Sequence, residues 1–138
     1  MTNPPQSVYS LDSLDGDPAP VLEALRNRAA DQARVDSRSG TVWWLDDVSP
    51  DHDRCLIVGV RGEVGVLVWD DEDTGSCIPE HGLNTTDVDY FTVTGDHYPQ
   101  QPGREVPVDQ VIEAAREFVA TRRRPSNIRW ISDTRPRG

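Results

Sequence analysis

Two runs of apolar residues, Leu56-Ile57-Val58-Gly59-Val60 and Val64-Gly65-Val66-Leu67-Val68-Trp69, are joined by Arg61-Gly62-Glu63. No other feature restricts the fold as strongly. Short runs rich in β-branched residues, separated by a glycine-containing turn, form a β-hairpin. These runs are apolar at consecutive rather than alternate positions, so both faces of the hairpin should be largely covered. Gly59 and Gly65 leave room for a helix to pack closely over the strands.

The flanking sequence supplies the covers. Residues 1–16 are polar and proline-bearing, and a flexible segment is expected there, with Val8, Leu11 and Leu14 anchoring a short element. Asp17-Pro18 reads as an N-cap followed by a first-turn proline. A helix then runs to about Arg34, with Leu22, Leu25 and Ala29 on one face, and Ser37-Arg38-Ser39-Gly40 ends it. Thr41-Val42-Trp43-Trp44-Leu45 reads as a strand and Asp46 to Asp53 as an acidic loop leading into the hairpin. After the hairpin come the loop Asp70-Asp71-Glu72-Asp73-Thr74-Gly75, a short strand over Ser76 to Pro79, a turn region from His81 to Asp87, and a strand from Val88 to Thr94.

Near the C-terminus, Val108, Val111, Ile112, Ala115, Phe118 and Val119 recur at the spacing of one buried helix face. Pro107 suits the first turn of that helix, Asp109 favours its positive end, and Pro125 stops it. Ile128 and Trp130 alternate with Arg129 in a closing strand, so Phe118 and Trp130 are expected to be buried together. The predicted fold is α+β: an antiparallel sheet of about five strands with an N-terminal and a C-terminal helix packed on it. One domain spans residues 17–131, and residues 132–138 form a flexible tail.

Charge narrows the functional classes. The 138 residues carry a net charge of −10, and all 14 basic residues are arginine, as a GC-rich genome would give. Residues 1–103 hold 19 acidic against 6 basic side chains, whereas residues 104–138 hold 5 against 8. A strongly acidic domain repels nucleic acid and attracts basic partners. No stretch resembles a signal peptide or reaches the length of a membrane span, so a cytoplasmic location with no membrane partner is expected. Cys55 and Cys77 are then expected to stay reduced, and the acceptor pattern Asn84-Thr85-Thr86 has no use.

Catalytic constellations are missing from the sequence. There is no glycine-flanked nucleophilic serine, no phosphate-binding glycine loop and no paired-cysteine zinc signature. Asp70, Glu72, Thr74 and Gly75 match the first half of a calcium loop, but the twelfth position is His81 where glutamate is required. His52, His81, His97, Cys55 and Cys77 lack the close pairing of a zinc site. No cofactor, metal or catalytic residue is therefore expected. The rival from another class is a metal-dependent enzyme built on His81, His97 and nearby carboxylates. A further alternative is a non-catalytic interaction or regulatory module.

Arg104-Glu105-Val106-Pro107, then Ala114-Ala115-Arg116-Glu117-Phe118-Val119-Ala120-Thr121, then Arg124-Pro125 and Arg129-Trp130, resemble the Imm1 family of bacterial immunity proteins. The similarity extends more weakly upstream to about position 40. Where the family pattern has glycine after the threonine, this chain has Arg122, which suggests a helix continuing one turn further. The resemblance implies an immunity protein that neutralises a toxin of a polymorphic toxin system, often a nucleic-acid deaminase. Such a toxin has a basic substrate cleft, which an acidic surface would be steered to and occlude.

Two acidic stretches are the candidate partner-binding residues. Asp70, Asp71, Glu72 and Asp73 leave the second hairpin arm. Asp46, Asp47, Asp51 and Asp53 enter the first arm, at the same end of the hairpin. Trp43 and Trp44 point to opposite faces of their strand. One enters the helix-covered core, and Trp44 is the candidate aromatic anchor beside the acidic residues.

Overall fold

The computed structural model describes residues 7–133. The hairpin forms as expected. Strands β3 (His52–Val60) and β4 (Val64–Asp71) are antiparallel, with Ile57 opposite Val68. Strand β2 (Gly40–Ser49) pairs antiparallel with β3 along its whole length, from Thr41–Val60 to Ser49–His52. The three long strands make the centre of the sheet.

Each outer long strand is flanked by two short ones. Strands β1 (Val8–Ser10) and β6 (Tyr90–Thr92) both lie parallel to β2, β1 against Trp44–Asp46 and β6 against Gly40–Val42. Strands β5 (Gly75–Pro79) and β7 (Glu105–Pro107) divide β4 in the same way, both antiparallel. Strand β8 (Trp130–Ser132) closes the sheet on β5. The described residues thus contain eight strands rather than about five. The two strands with no counterpart in the sequence reading, β1 and β7, are only three residues long and have no periodicity that a sequence could reveal.

Helices α1 (Leu11–Leu14), α2 (Ala19–Val35) and α3 (Val108–Thr121) lie on one face. The N-cap of α2 is Pro18 rather than the expected Asp17, and Asp17, one residue earlier, accepts the Ala19 N–H at 3.0 Å in the turn that leads into the helix. The helix-side core joins Leu11, Val21, Leu22 and Leu25 to Trp43, Leu45, Leu56, Val58, Leu67 and Trp69, and to Val111, Ala115 and Phe118. Strand β1 and helix α1 are built into this core, so residues 8–14 are not part of a flexible lead. Residues 1–6 and 134–138 lie outside the described residues.

The opposite face carries no helix, and its upper half is covered by the long connection between β5 and β7. Val42, Ile57, Val66, Val68, Ile78 and Tyr90 form a second buried cluster there, with Trp44, Cys55 and Val88 packed against it. This is the second cover that the doubly apolar hairpin required. The two hairpin glycines serve different covers. A Cβ on Gly65 would meet the Gly59 carbonyl and the Val111 side chain of α3, whereas one on Gly59 would meet the Tyr90 ring. Only Gly65 therefore makes room for a helix.

Tyr90 is tied down by a buried charge. Its hydroxyl donates to Glu105 at 2.7 Å, and Arg61 binds the same carboxylate through two contacts of 2.8 Å. Burial first, then the Glu105 charge, pushes the Tyr90 phenol well above its ordinary pKa. Asn84 accepts the N–H groups of Arg104 and Glu105, both at 2.9 Å, which fixes the Arg-Glu-Val-Pro segment against the connection. The motif that carried the family resemblance is thus a structural latch.

Three further expectations change. The loop from Asp46 to Asp53 is strand except for a tight turn at Pro50-Asp51. The strand over Val88 to Thr94 is confined to Tyr90–Thr92. Helix α3 does not run on past Arg122 or reach Pro125. Arg122 itself adopts the left-handed conformation at φ 59° and ends the helix, and Pro107 precedes the first turn with ψ 142°.

Candidate partner-binding surface

The structure brings the two acidic stretches to the same end of the sheet but divides them between its faces. Side chains alternate along a strand, so Asp46 and Asp47 diverge, as do Asp70 and Asp71.

On the helix side, Asp47 is only 2% exposed and fully engaged. It accepts from His52 Nε2 at 3.0 Å and from Arg122 at 3.1 Å, with Arg54 at 3.9 Å. Arg122 also reaches Asp12 of α1 at 2.7 Å, and Arg54 donates to the Arg122 carbonyl at 2.9 Å. These bonds account for arginine at a left-handed position. The side chain clamps α1, β2 and the end of α3 together, offsetting a backbone conformation that glycine adopts more readily. The Asp12 and Asp47 carboxylates hold the Arg122 guanidinium proton more firmly than usual.

His52 also touches the Ser49 hydroxyl through Nδ1 at 3.2 Å. Serine, histidine and aspartate in a row invite a catalytic reading. The Ser49 oxygen, however, accepts the N–H groups of Asp51 and His52, both at 3.2 Å. Both lone pairs are committed to closing the β2–β3 turn, so the group is a turn lock.

Asp71 has a similar role at the next turn. One of its oxygens accepts the N–H groups of Asp73 and Thr74 and the Thr74 hydroxyl, and the other accepts the Trp69 indole N–H at 2.8 Å. Burial raises its pKa, but the bonds from Thr74, Trp69 and Asp73 outweigh burial and leave it below the ordinary carboxylate value. A group with a lowered folded pKa stabilises the fold fully above its unfolded value, near pH 4, and this contribution is lost as pH falls through the folded value. Urea midpoints of the wild type should therefore fall more steeply below about pH 4 than those of Asp71→Asn. Parallel curves would show that the turn draws nothing from the charge.

The helix-free face presents the other carboxylates. Asp46, Cys55, Asp70 and Ser76 stand opposite one another in a row across four strands. Asp53 lies in the next row beside Val48, which is 60% exposed. Asp53, Cys55, Asp70, Asp71 and Glu72 line a shallow depression of about 240 Å³. The Cys55 thiol is pushed far above its ordinary pKa, by burial first and then by its hydrogen bond to Asp46 and the charges of Asp46, Asp70 and Asp53. It stays a neutral thiol. Asp51 and Asp73 are exposed at the two turn tips.

Trp43 enters the helix-side core, and Trp44 stands on the helix-free face, half-buried against Tyr98. The two rings meet edge to face, with centroids 4.9 Å apart and planes at 77°. Tyr98 comes from the return of β6, held by its N–H to the Tyr90 carbonyl at 2.7 Å. Val48, Cys55 and Tyr98 were missed as surface residues. Alternation from Trp44 would have found Val48, but nothing local in the sequence links Tyr98 to Trp44.

The histidines do not converge. His81 lies near Glu80 at 3.8 Å, and His97 binds Asp89 at 2.8 Å while stacking on Phe91. Among the described residues no three of His, Cys, Asp and Glu are arranged to hold a metal ion. No helix among them is long and apolar enough to cross a membrane.

The family model described as immunity protein Imm1 matches residues 11–132. No curated protein matches the chain.

Proposed function

Because the chain belongs to the Imm1 family of immunity proteins, whose members act against a cognate toxin, we propose that it works by binding alone, laying its acidic helix-free face over a basic substrate cleft. The family match carries the immunity function. The grouping of Asp46, Asp53, Asp70 and Glu72 supports the choice of surface, since charge of one sign on an open face steers an oppositely charged partner. Asp51 and Asp73 extend the same field at the turn tips, and Trp44 supplies an aromatic anchor. Asp47 and Asp71 serve the surface indirectly, by fixing the turns on which it stands.

The toxin class favoured is one that acts on nucleic acid, a deaminase before a nuclease, because an enzyme that holds a polyanion needs a basic cleft. Inhibition then requires no chemistry and no cofactor, only occlusion in the cytoplasm of the producing cell. The residues of this face sit in turn locks and strand positions, arrangements suited to recognition.

The test is a triple charge reversal, Asp53→Arg, Asp70→Arg and Glu72→Arg, against the cognate toxin. The on-rate should fall about tenfold or more at low salt, and cells expressing the toxin should lose protection. Glu23→Arg, on exposed α2, serves as the control and should change neither. An unaltered on-rate and intact protection in the triple variant would remove this face from the mechanism.

A further inference from the structure

We infer that the Trp44–Tyr98 pair seats an arginine side chain of the basic partner, with Asp46 as its charge partner. This rests on the reading of the acidic face given above and specifies its chemistry. Trp44 lies at the border between the covered and the open halves of that face. Asp46 is two residues further along the same side of β2, about 7 Å away. A guanidinium group stacked on the indole reaches that carboxylate without leaving the ring. It is planar and weakly hydrated, so it stacks and donates hydrogen bonds at once, whereas an ammonium group is a compact and strongly hydrated charge.

The spacing of the carboxylates argues against a single small cation. Asp46 and Asp70 flank Cys55 on either side, so their strands are about 10 Å apart. One metal ion draws its oxygen ligands to within about 2.0–2.6 Å. Carboxylates on strands so far apart suit separate side chains of an extended basic surface. Among the described residues neither Asp46, Asp53 nor Glu72 has an ion-pair partner, whereas Asp47 has several. Val48 and Tyr98, 60% and 36% exposed, add apolar area at the edges of the row. Arginine presented on a protein surface matches all of these groups together.

The probes are hexa-arginine and hexa-lysine peptides, titrated at low salt while the four indole N–H resonances are followed. The Trp69 and Trp130 indoles are bonded internally, to Asp71 and to the Pro125 carbonyl, and Trp43 is buried. Only the Trp44 signal should move. The arginine peptide should bind about two- to fivefold more tightly than the lysine peptide. Trp44→Leu should abolish that preference and leave a weaker, salt-dependent association. Tyr98→Leu, altering an exposed ring, provides a second variant that keeps the fold and should reduce the preference. Equal affinities for the two peptides, or a stationary Trp44 signal at saturation, would overturn the inference. Neither result bears on immunity itself, which fails only if wild-type protein does not protect toxin-expressing cells.

Discussion

Replacing Glu105 with alanine is expected to destabilise the fold by about 3–5 kcal/mol, the range for removing one partner of a buried charge pair. The carboxylate is 2% exposed and takes two bonds from Arg61 and one from the Tyr90 hydroxyl. Its loss leaves a partly buried guanidinium and a buried phenol without their acceptor. It also loosens the connection that covers the helix-free face, because Tyr90 packs under Gly40 and Gly59. A urea melt measures the effect. The double variant Arg61→Met, Glu105→Leu should recover much of the loss, since the penalty lies in the orphaned charge rather than in the missing attraction. A drop below about 1 kcal/mol in Glu105→Ala would mean that water reaches Arg61 and replaces the bond.

Phe118→Ala should fall in the same range, about 3–5 kcal/mol, through the cavity it leaves between α3 and the sheet. Phe118 is completely buried, and its ring meets Trp69 edge to face at 5.2 Å. The aromatic partner is Trp69 and not the expected Trp130. Trp130 is half-buried at the margin of the same core, with its indole held by the Pro125 carbonyl. Trp130→Ala should accordingly be milder than Phe118→Ala. The reverse order in matched melts would contradict this packing.

The regular elements were legible because repeated apolar positions leave a periodic trace. Helix α3 could be read from Val111, Ala115 and Phe118, and the central hairpin from its continuous apolar runs. The demand for two covers came from the same runs, although their identity did not. Tyr90 and Val88 cover the second face from a segment that was legible as a strand but not as a cover, and β1 and β7 are too short to show a period. The acidic end of the hairpin was also legible, since sequence order alone brings Asp46–Asp53 beside Asp70–Asp73. Its division between two faces was obscured because the stretch was read as a loop. Once Asp46 and Asp47 lie on a strand, alternation sends them apart. At Arg122 the departure from glycine was visible, but its compensation lay 75 residues away at Asp47 and 110 away at Asp12.

The division of the outer strands also bears on self-association. A long bare strand edge is a template on which a second chain can add and start an aggregate. Here much of the outer edges of β2 and β4 is occupied by different short strands, over Gly40–Val42 and Trp44–Asp46 of β2 and over Val64–Val66 and Trp69–Asp71 of β4. Strand β6 is screened in turn by the bonds of Thr92 and Tyr90 to residues 96 and 98, and β7 by the bond from Leu83. The sheet path ends at β1 and β8, which offer three residues each. A strand arriving at either end finds too short a ladder to hold it, and at β8 it also meets the charge of Arg129. The most apolar hairpin in the chain is therefore enclosed on both sides by other strands of the same chain, which keeps its backbone from serving as a template.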